Sequence, residues 1–406
     1  MTKTNIAAAM PQVKAFLANF GQSILSLSFN FGGLLAGTLA VYFNVFSITP
    51  WAIALFPGIL SVRGAIGGLF SGHLGTNLHL GTIKASYTKN TKSFYLLLRS
   101  VIVLALISGV MIGVGTSIFG VFLWNATFTD FVGILAVIIA TMGLSILFIP
   151  PLTLAVSVIS FRRGLDPDIV VYPIISTVSD IVDTLCYVFC LNVFFNVASF
   201  GSYLIWLLDF VFLFVVIYIL VKNFKETEFV KMIKEFLLTL VSVTFIVNIT
   251  GSILVRVSEV IDNRPEVYMV YPALIDTVGD VGSIIGSTVT TKLALGSIKS
   301  SFSSIKEHII EIVGAWSASL VLFVSYAAIS LLAFGVNTLE GIMCFTGQLL
   351  ITNIIAVSIM IFISYYIAIF TYRRGLNPDN FVIPIESSLA DTVTTAAILV
   401  ALALII

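Results

Sequence analysis

Apolar runs of twenty or more residues, cut at intervals by short clusters of charge, proline and turn residues, fill almost the whole chain. A helix needs about 20 mostly apolar residues to cross the hydrocarbon core of a bilayer. Runs of that length predict eleven transmembrane helices, at approximately 21–47, 52–83, 94–124, 130–161, 168–198, 202–221, 236–255, 267–298, 308–335, 341–371 and 379–404. Several exceed a straight crossing, so tilting, breaks or extension beyond the membrane are expected. Residues 1–20 hold Pro11, Gln12 and Lys14 and lack a compact apolar core followed by a cleavage site. They read as a short amphipathic helix on the inner face and not as a signal peptide.

Charge orients these helices, because short cytoplasmic loops carry Lys and Arg while external ones do not. With the N-terminus inside and the C-terminus outside, 17 of the 20 basic residues fall in cytoplasmic groups. Arg256 and Arg264 are left in an external loop that also carries Glu259, Asp262 and Glu266, and Arg63 falls within a span. Spans and short loops use up the chain and leave no room for a soluble catalytic domain, so an enzyme is not expected. The cell membrane is the expected location.

Composition agrees. With 59% hydrophobic and 10% charged residues and a mean hydropathy of +1.11, a soluble multidomain protein is excluded. A net charge of zero gives no footprint for nucleic acid. Cys186, Cys190 and Cys344 lie in apolar runs, in neither a disulfide framework nor a zinc spacing; they read as packed or lipid-facing thiols.

The chain repeats itself. Residues 162–184, RRGLDPDIVVYPIISTVSDIVDT, align without gaps to 373–395, RRGLNPDNFVIPIESSLADTVTT, with 13 of 23 positions identical, and 56–83 aligns with 271–298. The offsets, 211 and 215 residues, nearly agree. The expected organisation is an N-terminal segment 1–20, a five-helix repeat 21–198, a linking transmembrane helix 199–225 and a second five-helix repeat 226–406. Two directly joined five-helix units would be inverted; the intervening helix makes them parallel, related by a pseudo-two-fold axis along the membrane normal. Such an axis is where transporters and channels place their pathway. The fold class is thus an all-α membrane protein of eleven spans in two parallel repeats.

Ionisable side chains inside a bilayer each cost several kcal/mol, at least about 2.5 for Asp or Arg, and so need an explanation. Here they are Arg63, Asp180, Asp183, Asp209, Asp276, Asp280, Glu386 and Asp391. Seven acids against one base suit a cation, and hard oxygen ligands suit Mg²⁺ or a similar divalent ion. Asp180 and Asp391 form the strongest pair, each seven residues after a proline, Pro173 and Pro384, at the same repeat position. The competing reading is a carboxylate that caps a broken helix. Asp183 shares a helix face with Asp180 but is Thr394 in the other repeat, so it is auxiliary. Asp276 and Asp280 lie one turn apart in a glycine-rich helix, either as ligands or as partners of Arg63; Arg63 alternatively snorkels to water. Glu386 need not face the way Asp391 does, and Asp209 reads as structural. His73 and His79 lack the spacing of a helical metal pair.

With the repeats laid out, the pattern resembles the MgtE family of magnesium transporters, and in particular its two-repeat members, the solute carrier family that includes eukaryotic magnesium transporters. The likeness rests on the fifth-helix segments DPDIVVYPIISTVSDIVDTL at 166–185 and NPDNFVIPIESSLADTVTTA at 377–396, and on a second helix with a proline and a glycine-rich turn. It implies that Asp180 and Asp391 bind the permeating ion, that Mg²⁺ is a substrate and no cofactor is needed, and that one chain holding both halves works as a monomer. The family's Gly-Asn pair in the second helix reads Gly64-Ala65 and Gly279-Asp280 here, so the asparagine's role does not transfer. The cytoplasmic ion-sensing domains of bacterial MgtE are absent from the sequence. A sodium- or proton-coupled exchanger, with Asp183, Asp276 or Asp280 holding the coupling ion, is the alternative.

Overall fold

A computed structural model describes residues 3–163, 167–196, 198–261, 264–294, 296–374 and 379–405. Among these residues all regular structure is helical: α1 (Lys3–Leu27), α2 (Phe31–Tyr42), α3 (Val45–Ile48), α4 (Pro50–His79), α5 (Lys92–Leu123), α6 (Phe128–Arg162), α7 (Pro167–Asn196), α8 (Ala198–Asn223), α9 (Thr227–Ile261), α10 (Pro265–Ala294), α11 (Ile309–Ala333), α12 (Leu339–Arg373) and α13 (Asp379–Leu404). α1 runs unbroken through the expected boundary at residue 20.

Local chemistry sets where these helices begin. Pro50, Pro167 and Pro265 open α4, α7 and α10, where a missing N–H costs nothing and the fixed φ fits the first turn. Thr91, Thr127 and Thr338 cap α5, α6 and α12 with their side chains, and Thr127 forms a reciprocal capping box with Asp130. Asn44, in the left-handed region at φ 54°, turns the chain between α2 and α3. Within the helices, buried hydroxyls bond back to their own carbonyls, as Ser100 does to Leu96 and Thr141 to Val137. That is how polar side chains are tolerated where no water reaches.

Ten helical segments among the described residues are long and apolar enough to cross a membrane. The chain is an integral membrane protein. The exception among the expected spans is α10, which has 30 residues but carries Asp276, Asp280 and a run of Gly, Ser and Thr that lower its hydropathy. At 1.5 Å per residue, the 35-residue helices α6, α9 and α12 reach about 52 Å, well beyond a hydrocarbon core of about 30 Å.

The chain forms two compact units, and they are not its two sequence halves. One, here the central unit, spans Thr38–Val255; the other, the terminal unit, joins Met1–Gly37 to Arg256–Ile406. In the central unit α4 packs on α5, α6 and α7, and α8 lies against α5, α6 and α7. α9 belongs there too, with Gly251 against the backbone of Ala54 in α4. In the terminal unit α10 packs on α11, α12 and α13, and α1 runs along α11, while Gly33 and Gly37 lie against the α10 backbone at Ala273 and Met269. Each unit therefore adds to four consecutive helices, α4–α7 or α10–α13, a helix from elsewhere in the chain, α9 or α1.

The glycines make that close approach possible. A Cβ on Gly37 would overlap the carbonyl of Met269, whereas one on Gly21 meets nothing within 4 Å. Gly37→Leu is expected to push α2 off α10 and destabilise the protein by about 1–3 kcal/mol, the usual cost of overpacking. Gly21→Ala should leave stability unchanged. Thermal unfolding in detergent, followed by size-exclusion chromatography, separates the two; equal stability of both variants would mean that this contact does not hold α2.

Candidate functional site

In the central unit the polar side chains converge where α4, α6 and α7 meet. Arg63 of α4 is 3% exposed, and its Nε donates to Asp183 Oδ1 of α7 at 3.3 Å. Ser145 of α6 donates to the same oxygen. Asp183 is fully buried, and Asp180, one turn earlier, is 7% exposed. Arg63 thus pairs within its own unit with Asp183, where the sequence pointed to Asp276 or Asp280. The reason is register: α4 and α7 pack along their length, which brings Arg63 and Asp183 together although 120 residues separate them. Snorkelling is also set aside, since the guanidinium is buried and ion-paired. Tyr187 in α7 donates to Ala52 O at 2.7 Å and ties the first turn of α4 to α7. Cys186 and Cys190 are buried on the same helix, as packed thiols.

The terminal unit builds its seam differently. Asp280 of α10 accepts from Asn30 Nδ2 at 2.8 Å, and Asn30 also lies 3.4 Å from Thr277 Oγ1. Thr277 Oγ1 in turn lies 2.9 Å from the hydroxyl of Tyr326 on α11. On the facing helix α13, Asp391 is 6% exposed and within electrostatic reach of Asp276 on α10. Tyr271 and Thr395 share a hydrogen bond of 2.9 Å one turn away. Glu386, five residues before Asp391 on α13, is fully buried, with Ser283 Oγ 3.4 Å from its Oε2. The side chains of Pro173, Pro384 and His79 lie outside the described residues.

The two units therefore differ in charge. α4 and α7 bring Arg63 against Asp183, whereas α10 and α13 carry Asp276, Asp280, Glu386 and Asp391 with no basic residue between Pro265 and Lys292. Among the described residues no group of three or more His, Cys, Asp or Glu side chains is close enough to hold a metal ion.

Sequence reasoning passed over Asn30 and its counterpart. Asn248 in α9 accepts from Thr116 Oγ1 of α5 at 2.8 Å and donates to Thr244 O, so in both units an asparagine in or beside the added helix ties it down. The signal was available: Asn30-Phe-Gly-Gly33 and Asn248-Ile-Thr-Gly251 repeat at an offset of 218, close to the other two. Asp209 of the linking helix faces Phe131, Leu135 and Trp206, an apolar setting that assigns it no ligand.

Long apolar helices that bury carboxylates along their packed faces define a polytopic membrane protein of the kind that passes cations. The MgtE family model, described as a divalent cation transporter, matches the chain twice, over residues 56–190 and 271–401, and the chain belongs to that family. The family's work is divalent-cation transport through a helical bundle. No curated protein and no solved structure was found to match it.

Proposed function

We propose that the protein carries Mg²⁺ across the cell membrane along a path to which each repeat contributes one aspartate, Asp180 and Asp391. The observation that carries this reading is that each family match contains one of the two, at the same repeat position, each nearly fully buried on its helix. Two carboxylates balance the charge of one divalent ion, and hard oxygen ligands with several retained waters suit Mg²⁺. Asp276, within reach of Asp391, is an auxiliary carboxylate on the terminal side. Asp280 is occupied by Asn30 and Asp183 by Arg63, so these two support the seams.

In this reading α10 crosses the membrane as an eleventh span, the N-terminus is cytoplasmic and the C-terminus external, and the two-repeat chain works as a monomer. α10 crosses despite its polar residues because it is packed on α11, α12 and α13, and ionisable residues in membranes face such interiors. Mg²⁺ uptake into proteoliposomes holding the purified protein tests the reading. Uptake is expected without an imposed gradient of sodium or protons. Failure of Mg²⁺ to enter under any gradient would overturn it, and uptake only with a sodium or proton gradient would favour the coupled exchanger.

A further inference from the structure

Glu386 is a carboxyl group that the fold does not require. It is fully buried in the terminal unit, near Gly282 and Ser283 of α10 and Ser364 of α12. Ser283 Oγ is 3.4 Å from its Oε2, and its Oε1 has no hydrogen-bond partner among the described residues. Burying an ionised carboxylate without a counter-charge is so costly that such a group neutralises itself.

The other repeat shows what the same position needs for packing alone. At the offset of 211, Glu386 corresponds to Ile175, and at 215, Ser283 corresponds to Gly68. Ile175 is buried with Ile149 and Val171 in an aliphatic cluster, against Val156 and Val182. One repeat fills the site with hydrocarbon; the other has replaced that hydrocarbon with an acid and placed a hydroxyl beside it.

The charged and titratable groups around Glu386 are few. α10 carries Asp276 and Asp280, the latter held by Asn30, and, nine residues beyond Ser283, Lys292, bonded to Glu311 at 2.8 Å. α12 carries Tyr365 next to Ser364, engaged with Ser304. α13 carries Asp391, five residues on and so about 7.5 Å along the helix axis. Among the described residues no basic side chain is paired with Glu386, and along α13 the nearest carboxylate of the proposed path is Asp391.

We propose that Glu386 is a proton-binding site carried by only one of the two repeats, loaded when the carboxylates at the level of Asp391 are empty and unloaded when a cation arrives there. The proton leaves to water as the cation binds, so charge at the two levels is partly exchanged. At that separation and an effective dielectric constant of about 20, each unit of charge that arrives weakens proton binding by roughly tenfold to a hundredfold. The cation part of the proposal rests on Mg²⁺ binding at Asp391; the presence of the proton does not.

Two measurements on the full-length protein in detergent keep those parts separate. Infrared difference spectra are expected to show the carbonyl stretch of a protonated carboxyl at neutral pH, absent from Glu386→Gln and from Glu386→Ile. The second variant restores the side chain that the other repeat carries and guards against misfolding of the first. In weak buffer with a pH-sensitive dye, Mg²⁺ is expected to release a proton from the wild type and none from either variant. A carboxyl band that persists in both variants overturns the site. A band that vanishes as expected, with Mg²⁺-driven proton release unchanged by either substitution, overturns the coupling. No proton release from the wild type on adding Mg²⁺, with the band present, overturns the coupling and leaves the proton site standing, while failure of the transport reading shows separately as absence of Mg²⁺ uptake into proteoliposomes.

Discussion

Asn in place of Asp391, and separately of Asp180, is expected to lower Mg²⁺ flux roughly tenfold to a hundredfold, the loss that follows from removing one charged oxygen ligand worth about 1.5–3 kcal/mol. Asn keeps the shape of the side chain and removes its charge. Both aspartates are nearly fully buried in well-packed helices, so the neutral isostere should leave thermal stability close to that of the wild type. Flux into proteoliposomes normalised to the amount of folded protein is the measurement. Wild-type flux in both single variants would remove the pair from the path, and loss in only one would mean that the repeats divide the work unequally.

The other large effect concerns stability. Arg63→Ala leaves Asp183 buried against Ser145 without its counter-charge, and breaking a buried ion pair from one side costs about 3–5 kcal/mol. Adding Asp183→Asn to the same chain removes the stranded charge and is expected to recover most of that loss. Asp280→Asn in its place should recover nothing, because Asp280 has Asn30 for a partner. A double-mutant cycle on unfolding in detergent decides it. Strictly additive losses for Arg63 and Asp183 would mean that the pair contributes no coupling, and recovery with Asp280→Asn would assign Arg63 a different partner.

What could be read from sequence depended on how far apart the interacting residues lie along the chain. Ten of the spans and the two segments that the family model matches are local patterns, carried by hydropathy and by a motif that occurs twice, and they were legible; Asp180 and Asp391 stand out in that motif by position alone. Arg63 with Asp183 was not legible, since it depends on the register of α4 against α7. Asn30 with Asp280, 250 residues apart, depends on packing between distant parts of the chain that no local periodicity encodes. The charge rule left Arg63 inside the membrane and so identified it as a residue needing a partner, but not which one. Glu386 was visible as an intramembrane acid; that its repeat counterpart, Ile175, packs on Ile149 and Val171 depends on how α6 and α7 meet.

The helix that each unit takes from elsewhere in the chain also bears on how the protein is made. α1 and the first turns of α2 leave the ribosome early, yet the helices they pack against, α10 to α13, are encoded more than two hundred residues later. At synthesis rates of about 5–20 residues per second, the N-terminal helix waits on the order of ten to forty seconds for its partners. The central unit, for its part, stays incomplete until α9 has been translated, past the linking helix. During that interval the buried acids and the arginine of α4 and α7 depend on each other for shielding from lipid, and α1 has only lipid or the insertion machinery for company. A nascent chain stalled at the midpoint would therefore be two unfinished bodies, and its quality control falls to whatever holds membrane helices apart until translation ends.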